Sequence, residues 1–190
     1  NIIMWQAPST MNMYLSGGTK DIIAASMTLE PLARFTPEGK VVPWLAAEVP
    51  TPENGGISED LRSVTWKLKP GVKWSDGTPL TSADVVFTAN YCMDPKGGCA
   101  QLAKFEGVES VEAVDDLTVK VNFTTPRPDP FSAFVGGQSP IIQKAQFEKC
   151  IGEAAPTCTE QNCNPIGTGP FRVVEFRTND VIRFEANPEY

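Results

Sequence analysis

The sequence predicts an α+β (mixed α/β) fold in which antiparallel hairpins outnumber helices. Three observations lead there. Val64, Trp66 and Leu68 alternate with Thr65, Lys67 and Lys69, and Leu117, Val119, Val121 and Phe123 repeat the pattern, the period-two signature of strands with one wet face. Turn chemistry separates such runs at Pro70-Gly71, Asp76-Gly77, Asp115-Asp116 and Thr178-Asn179-Asp180. The best-marked helix, residues 81–93, follows hairpin signals, so strands and helices keep no βαβ rhythm.

Taken in order, residues 1–7 read as a strand. Ile2, Ile3, Met4 and Trp5 are almost continuous, as in a strand buried on both faces, and Pro8 stops it. Residues 9–20 form a loop rich in Ser, Thr, Asn and Gly. Residues 22–35 have helical spacing, with Ile22, Ala25, Ser26 and Leu29 on one side, until Pro31 intervenes. Met4, Met11, Met13 and Met27 suit irregular gaps in a core. Residues 37–40 are a turn, and residues 50–56 lie outside any element.

The strand at residues 64–68 is expected to turn at Pro70-Gly71 in a type II geometry and to pair with a strand carrying Val72 and Trp74. Trp66 and Trp74 then belong to the core. Thr81 caps the following helix, and Asp84 three residues on completes a capping box. Ala83, Val86, Phe87 and Tyr91 fall on one face, and Asp94-Pro95 ends the helix because a residue before proline is pushed out of the α region. Residues 107–113 and 117–123 make a second hairpin. Pro126, Pro128 and Pro130 impose an extended stretch. Residues 131–135 make one helical turn, residues 136–140 a flexible polar loop and residues 144–151 a helix. A cysteine-bearing loop runs on to Asn164, and residues 171–176 and 181–186 form the last hairpin.

A chain of 190 residues can bury a real core, about 70% of its unfolded surface, in one or two domains. Acids outnumber bases 23 to 16 with no basic cluster, which argues against a nucleic-acid partner. No apolar run approaches the ~20 residues that span a bilayer, and no signal-peptide pattern opens the chain. The five cysteines fall into two local groups, which points to short disulfide loops and an oxidising compartment. Cys92 is expected to pair with Cys99 and Cys150 with Cys158. Cys163 is then the odd thiol, with Cys150–Cys163 as the rival pairing. Without histidine or a Cys-x-x-Cys pair, zinc is disfavoured.

Catalytic chemistry finds little material. The lack of histidine removes Ser-His-Asp and Cys-His arrangements, and no GxxxxGK phosphate loop occurs. Asp115-Asp116 forms a turn, Glu109 and Glu112 lie on wet strand positions, Asp84 caps, and Asp76 turns the chain. Gly167-Thr168-Gly169-Pro170 precedes a strand rather than a helix, so it offers an anion no helix N-terminus. We expect no catalytic residue, no metal ligand and no cofactor.

The string VTWKLKPGVKWSDGTPLTSADVVF at residues 64–87 closely resembles the signature of bacterial extracellular solute-binding proteins of family 5, the peptide, dipeptide and nickel binding proteins of ABC importers. NPIGTGPFRVVEF at residues 164–176, RFEANPEY at 183–190 and VPWLA at 42–46 are similar to further segments of that family, in the right order. The resemblance implies a periplasmic-binding-protein-like fold whose two lobes close on ligand by a hinge. It places residues 1–30 and 150–190 in the sheet of lobe one and residues 31–149 in an inserted subdomain, with the second lobe absent from this stretch. Truncation would leave an apolar patch near Ile2, Met4 and Val173, and so a possible dimer.

The function implied is capture of a peptide-like or other small solute for the membrane permease of an importer. The setting is the periplasm, or the outer surface through a lipid anchor in a Gram-positive cell. The ligand is expected at two glycine-bearing loops, formed by Tyr14, Ser16, Gly17, Gly18 and Thr19 and by Gly136, Gly137 and Gln138, with Tyr14 as an aromatic wall and Trp5 nearby. The competing reading is a small secreted disulfide-containing interaction or enzyme domain unrelated to transport.

Overall fold

The computed structural model describes residues 2–178 and 180–190; Asn1 of the expected first strand and Asn179 of the last turn lie outside them. Residues 2–7 take no strand conformation. Ile2, Ile3 and Trp5 stand 75%, 97% and 81% exposed. A strand exists only against a partner that meets its N–H and C=O groups, and no described strand lies beside this segment. Among the described residues, the segments 1–30 and 150–190 therefore share no sheet and meet through packing and isolated backbone hydrogen bonds, such as the Met11 N–H to the Asn162 carbonyl at 2.8 Å. Met11 and Ala24 cluster with Val173, bordered by Phe176, Ile182 and Phe184. Val173 is buried there and is no part of an exposed patch.

The first helix, α1 (Thr19–Ala25), starts earlier and ends sooner than its spacing predicts. Continuation would direct the Met27 carbonyl to the N–H of residue 31, and Pro31 has none. That carbonyl instead accepts the Phe171 N–H at 3.2 Å, and the Thr28 carbonyl accepts the Gly169 N–H at 2.8 Å. Strands β1 (Ala33–Phe35) and β2 (Val41–Pro43) make a short antiparallel pair.

Strand β3 (Ser63–Lys67) does not pair with residues 72–74. Pro70-Gly71 does turn the chain, with Gly71 at φ +78°, but type I and II turns splay the flanking strands instead of matching their twist. Residues 72–74 instead fold onto residues 78–80 across Asp76-Gly77: Trp74 N–H to Thr78 C=O at 2.8 Å, Leu80 N–H to Val72 C=O at 3.0 Å.

Helix α2 (Ser82–Met93) has the expected capping box, with the Thr81 N–H donating to Asp84 Oδ2 at 3.0 Å, and it ends at extended Asp94. It is buried nearly all round. Ala83 is exposed, while Val85, Thr88, Ala89 and Cys92 join Phe87 and Tyr91 inside. Strands β4 (Val108–Asp115) and β5 (Thr118–Phe123) complete an antiparallel sheet in the order β3-β5-β4. Val64 and Trp66 of β3 and Val119, Val121 and Phe123 of β5 give it a fully apolar inner face. That core continues through Tyr14, Trp74, Phe134 and Phe147.

Residues 131–135 make a turn in which buried Phe134 sits at φ +62°. The conformation costs on the order of 1–3 kcal/mol. It is held by the Phe134 N–H on Ser139 Oγ at 2.9 Å and by the Leu32 N–H on the Phe134 carbonyl at 2.9 Å. Helices α3 (Lys144–Phe147) and α4 (Thr159–Cys163) are short, and β6 (Phe171–Arg177) and β7 (Val181–Ala186) form a separate two-stranded hairpin. Disulfides join Cys92 to Cys99 and Cys150 to Cys158, leaving Cys163 as a thiol.

Candidate functional site

The loop that enters α1 is organised by Asp21, whose side chain is 1% exposed. Its carboxylate accepts the Ser16 hydroxyl at 2.6 Å, the Ser9 N–H at 2.6 Å and the Thr10 N–H at 3.3 Å, and it meets Lys20 Nζ at 3.1 Å. Burial alone would raise its pKa. The donors outweigh burial, the Ser16 hydroxyl foremost, and hold the carboxyl below its ordinary value. Ser16 Oγ also accepts the Gly18 N–H at 3.0 Å. Gly18 precedes the helix, and a Cβ there would lie 3.1 Å from Asp21 Oδ2. Gly17 and Thr19 are exposed, and nothing lies within 4 Å of where a Gly17 Cβ would be.

Tyr14 is not an aromatic wall. It is fully buried, with ring centroids 6.0 Å from Tyr91 and 6.4 Å from Phe105, and its hydroxyl donates to the Pro140 carbonyl. Burial pushes the phenol far above its ordinary range, so it remains a neutral donor. An apolar environment with one fixed acceptor makes Tyr14 a pin between the two candidate loops.

The second loop turns at Gly136, φ +83°, whose N–H donates to the Ala33 carbonyl at 2.9 Å. Gly137 is exposed; a Cβ there would sit 3.5 Å from Ile22 Cγ2, on the helix that Gly18 and Thr19 begin. Gln138 is half-buried. Residues 16–19 lead into α1 while Gly137 packs against Ile22 in its first turn, and Gly17 and Gly137 are both exposed.

Two clefts lie elsewhere. One of about 400 Å³ is lined by Glu30, Trp44, Lys69, Lys73, Thr168 and Tyr190. Glu30 is buried there; it accepts Trp44 Nε1 at 2.6 Å and the Thr168 hydroxyl at 2.9 Å, and the Arg34 guanidinium stacks 3.6 Å over the Trp44 ring. This cluster carries no periodic signal, because its members are strangers in sequence. A smaller cleft of about 260 Å³ lies beside Trp74, Thr81, Asp84 and Lys144. Neither is bordered by the glycine loops.

The GTGP stretch is structural. A Cβ at Gly167 would come within 2.0 Å of the Thr28 carbonyl oxygen, and one at Gly169 within 2.8 Å. Among the described residues no group of three or more His, Cys, Asp or Glu side chains could hold a metal ion.

Residues 40–190 match the family model described as bacterial extracellular solute-binding proteins, family 5 middle. The chain is 35% identical over 136 residues to the glutathione-binding protein GsiB of Pectobacterium atrosepticum, covering 68% of this chain and 24% of that protein. It is similar to the solved structure of Haemophilus influenzae OppA in complex with RPPGFSPFR, with TM-score 0.78, 26% identity and coverage of 97% of this chain and 37% of that one. The ABC transporter substrate-binding protein CtaP of Listeria monocytogenes gives TM-score 0.79 and 31% identity, covering 95% and 35%. The chain therefore spans between a quarter and two-fifths of the length of these relatives.

Proposed function

Since this chain belongs to the bacterial extracellular solute-binding proteins of family 5, we propose that it contributes one wall of the solute site of an ABC importer's binding protein. Family membership favours this reading over the rival one of a small secreted interaction or enzyme domain unrelated to transport. The observation that carries the proposal is that both loops flank helix α1, residues 16–19 leading into it and Gly137 packing against its Ile22. Exposed glycines let a ligand's backbone approach closely and pair with main-chain N–H and C=O groups, which suits a peptide-like solute. Ser16, Gly17, Gly18, Thr19, Gly136, Gly137 and Gln138 form that wall, and Tyr14 supports it from within. The membrane partner is the importer's permease, and the compartment is the periplasm or the outer cell surface.

The division into lobe one, residues 1–30 and 150–190, and an inserted subdomain, residues 31–149, belongs to the same proposal. The cluster of Met11, Ala24 and Val173 supports it. The main core runs across both parts, from Tyr14 to Ala155, so they act as one body.

The experiment uses the complete gene product, purified without denaturation. Native mass spectrometry should find a co-purified solute, and Gly17→Val should weaken its binding about tenfold or more while leaving the unliganded melting temperature nearly unchanged, because the new side chain meets open space. Undiminished binding in that variant, with Gly137→Val equally silent, would place the site elsewhere.

A further inference from the structure

The backbone that leads into exposed Gly17 is held in part from a distant disulfide loop. Cys99 is bonded to Cys92, a fully buried residue in the last turn of α2. The residues after Cys99 reach the candidate loop directly. The Ala100 N–H donates to the Tyr14 carbonyl at 2.8 Å. The Gln101 side-chain amide, 6% exposed, donates to the Ser16 carbonyl at 2.9 Å and to the Met13 carbonyl at 3.4 Å. Between Cys92 and Cys99 the chain passes through Gly97 and Gly98, the latter at φ +60°, so on that side the disulfide is what fixes Ala100 and Gln101, while buried Phe105 anchors the chain beyond them.

We infer that Gln101 is the positioning residue of the loop formed by Ser16, Gly17, Gly18 and Thr19, and that the Cys92–Cys99 disulfide holds Gln101 in register with it. Asp21, on the helix, fixes the Ser16 side chain, and Gln101 fixes its carbonyl. Together they set the peptide plane that leads into Gly17. A loop released from one anchor samples more conformations, and apparent affinity falls with the fraction that remains competent. The inference rests on the reading that this loop touches solute, and the test separates the two.

In the complete gene product, Gln101→Met keeps length and packing but removes both donors, and Cys92→Ala/Cys99→Ala opens the covalent loop. Hydrogen exchange of residues 16–19 is measured without ligand, and affinity is measured against a mixture of synthetic tri- to pentapeptides. Gln101→Met should speed exchange at residues 16–19 while leaving α2 protected, and should raise the peptide Kd about five- to tenfold, the worth of one buried hydrogen bond. The double cysteine variant should speed exchange in the same segment; if it fails to fold, Gln101→Met decides alone. Unchanged exchange at residues 16–19 in Gln101→Met overturns the inference, as does faster exchange with undiminished peptide affinity. Faster exchange in a protein whose wild type binds none of the peptides leaves the positioning role standing and removes only the peptide reading.

Discussion

At the scale of single residues, Asp21 and Gly167 carry the clearest consequences. Asp21 accepts from four residues, Ser9, Thr10, Ser16 and Lys20, in a site nearly closed to water. Its folded pKa lies below the ordinary value, so the stability it contributes is present above the unfolded pKa of about 4 and lost as pH falls through the lower folded value. Asp21→Asn should cost about 1–3 kcal/mol at neutral pH, as expected for hydrogen bonds to a charged group. The gap between variant and wild type in urea unfolding should close in acid; a gap independent of pH would assign the loss to packing. Gly167→Ala is a steric test. The added methyl would stand 2.0 Å from the Thr28 oxygen, and neither backbone can yield without breaking the Gly169 and Phe171 bonds to Thr28 and Met27. We expect a loss of about 3 kcal/mol in chemical unfolding, against almost none for Gly17→Ala.

At the scale of elements, the sequence declared what was local. The capping box at Thr81 and Asp84, the stop at Asp94-Pro95 and the alternation of β5 are all encoded within a few residues, and each stands in the structure. Partner choice is not local. The partner of β3 lies some fifty residues on in β5, and only the wrong twist of a type II turn warned against residues 72–74. Residues 2–7 show the same limit, since an apolar run states a preference for burial and says nothing of what buries it. Of the candidate site, composition singled out two glycine loops, whose Gly17 and Gly137 are exposed in the structure, whereas Tyr14 was misread, because an aromatic beside glycines looks the same in sequence whether it faces a cleft or a core.

The cysteine loops are the elements most open to measurement. Alkylation of the denatured, unreduced protein should label one thiol, Cys163, and labelling after reduction should reach all five. Peptide mapping that found Cys163 joined to Cys150 would overturn the pairing. Each bridge closes a short loop, of sequence separation 7 and 8, and should add about 2.5 kcal/mol of stability in the chain-entropy account.

At the scale of the whole molecule, the β6–β7 hairpin stands apart from the central sheet. A lone two-stranded ribbon is marginal in water, and this one depends on Met11 and Ala24 beneath it. The opening segment, by contrast, leaves Trp5 81% exposed while Trp66 and Trp74 are 1% exposed and Trp44 lies under the Arg34 guanidinium. The chain therefore carries its own optical probe. Acrylamide should quench the red-edge emission of Trp5 first and leave a blue-shifted remainder from the shielded indoles, and Trp5→Phe should abolish that early component. Any surface that later covers residues 2–5, whether a second copy or more of the same polypeptide, would announce itself as a blue shift and a loss of quenching, with no label attached.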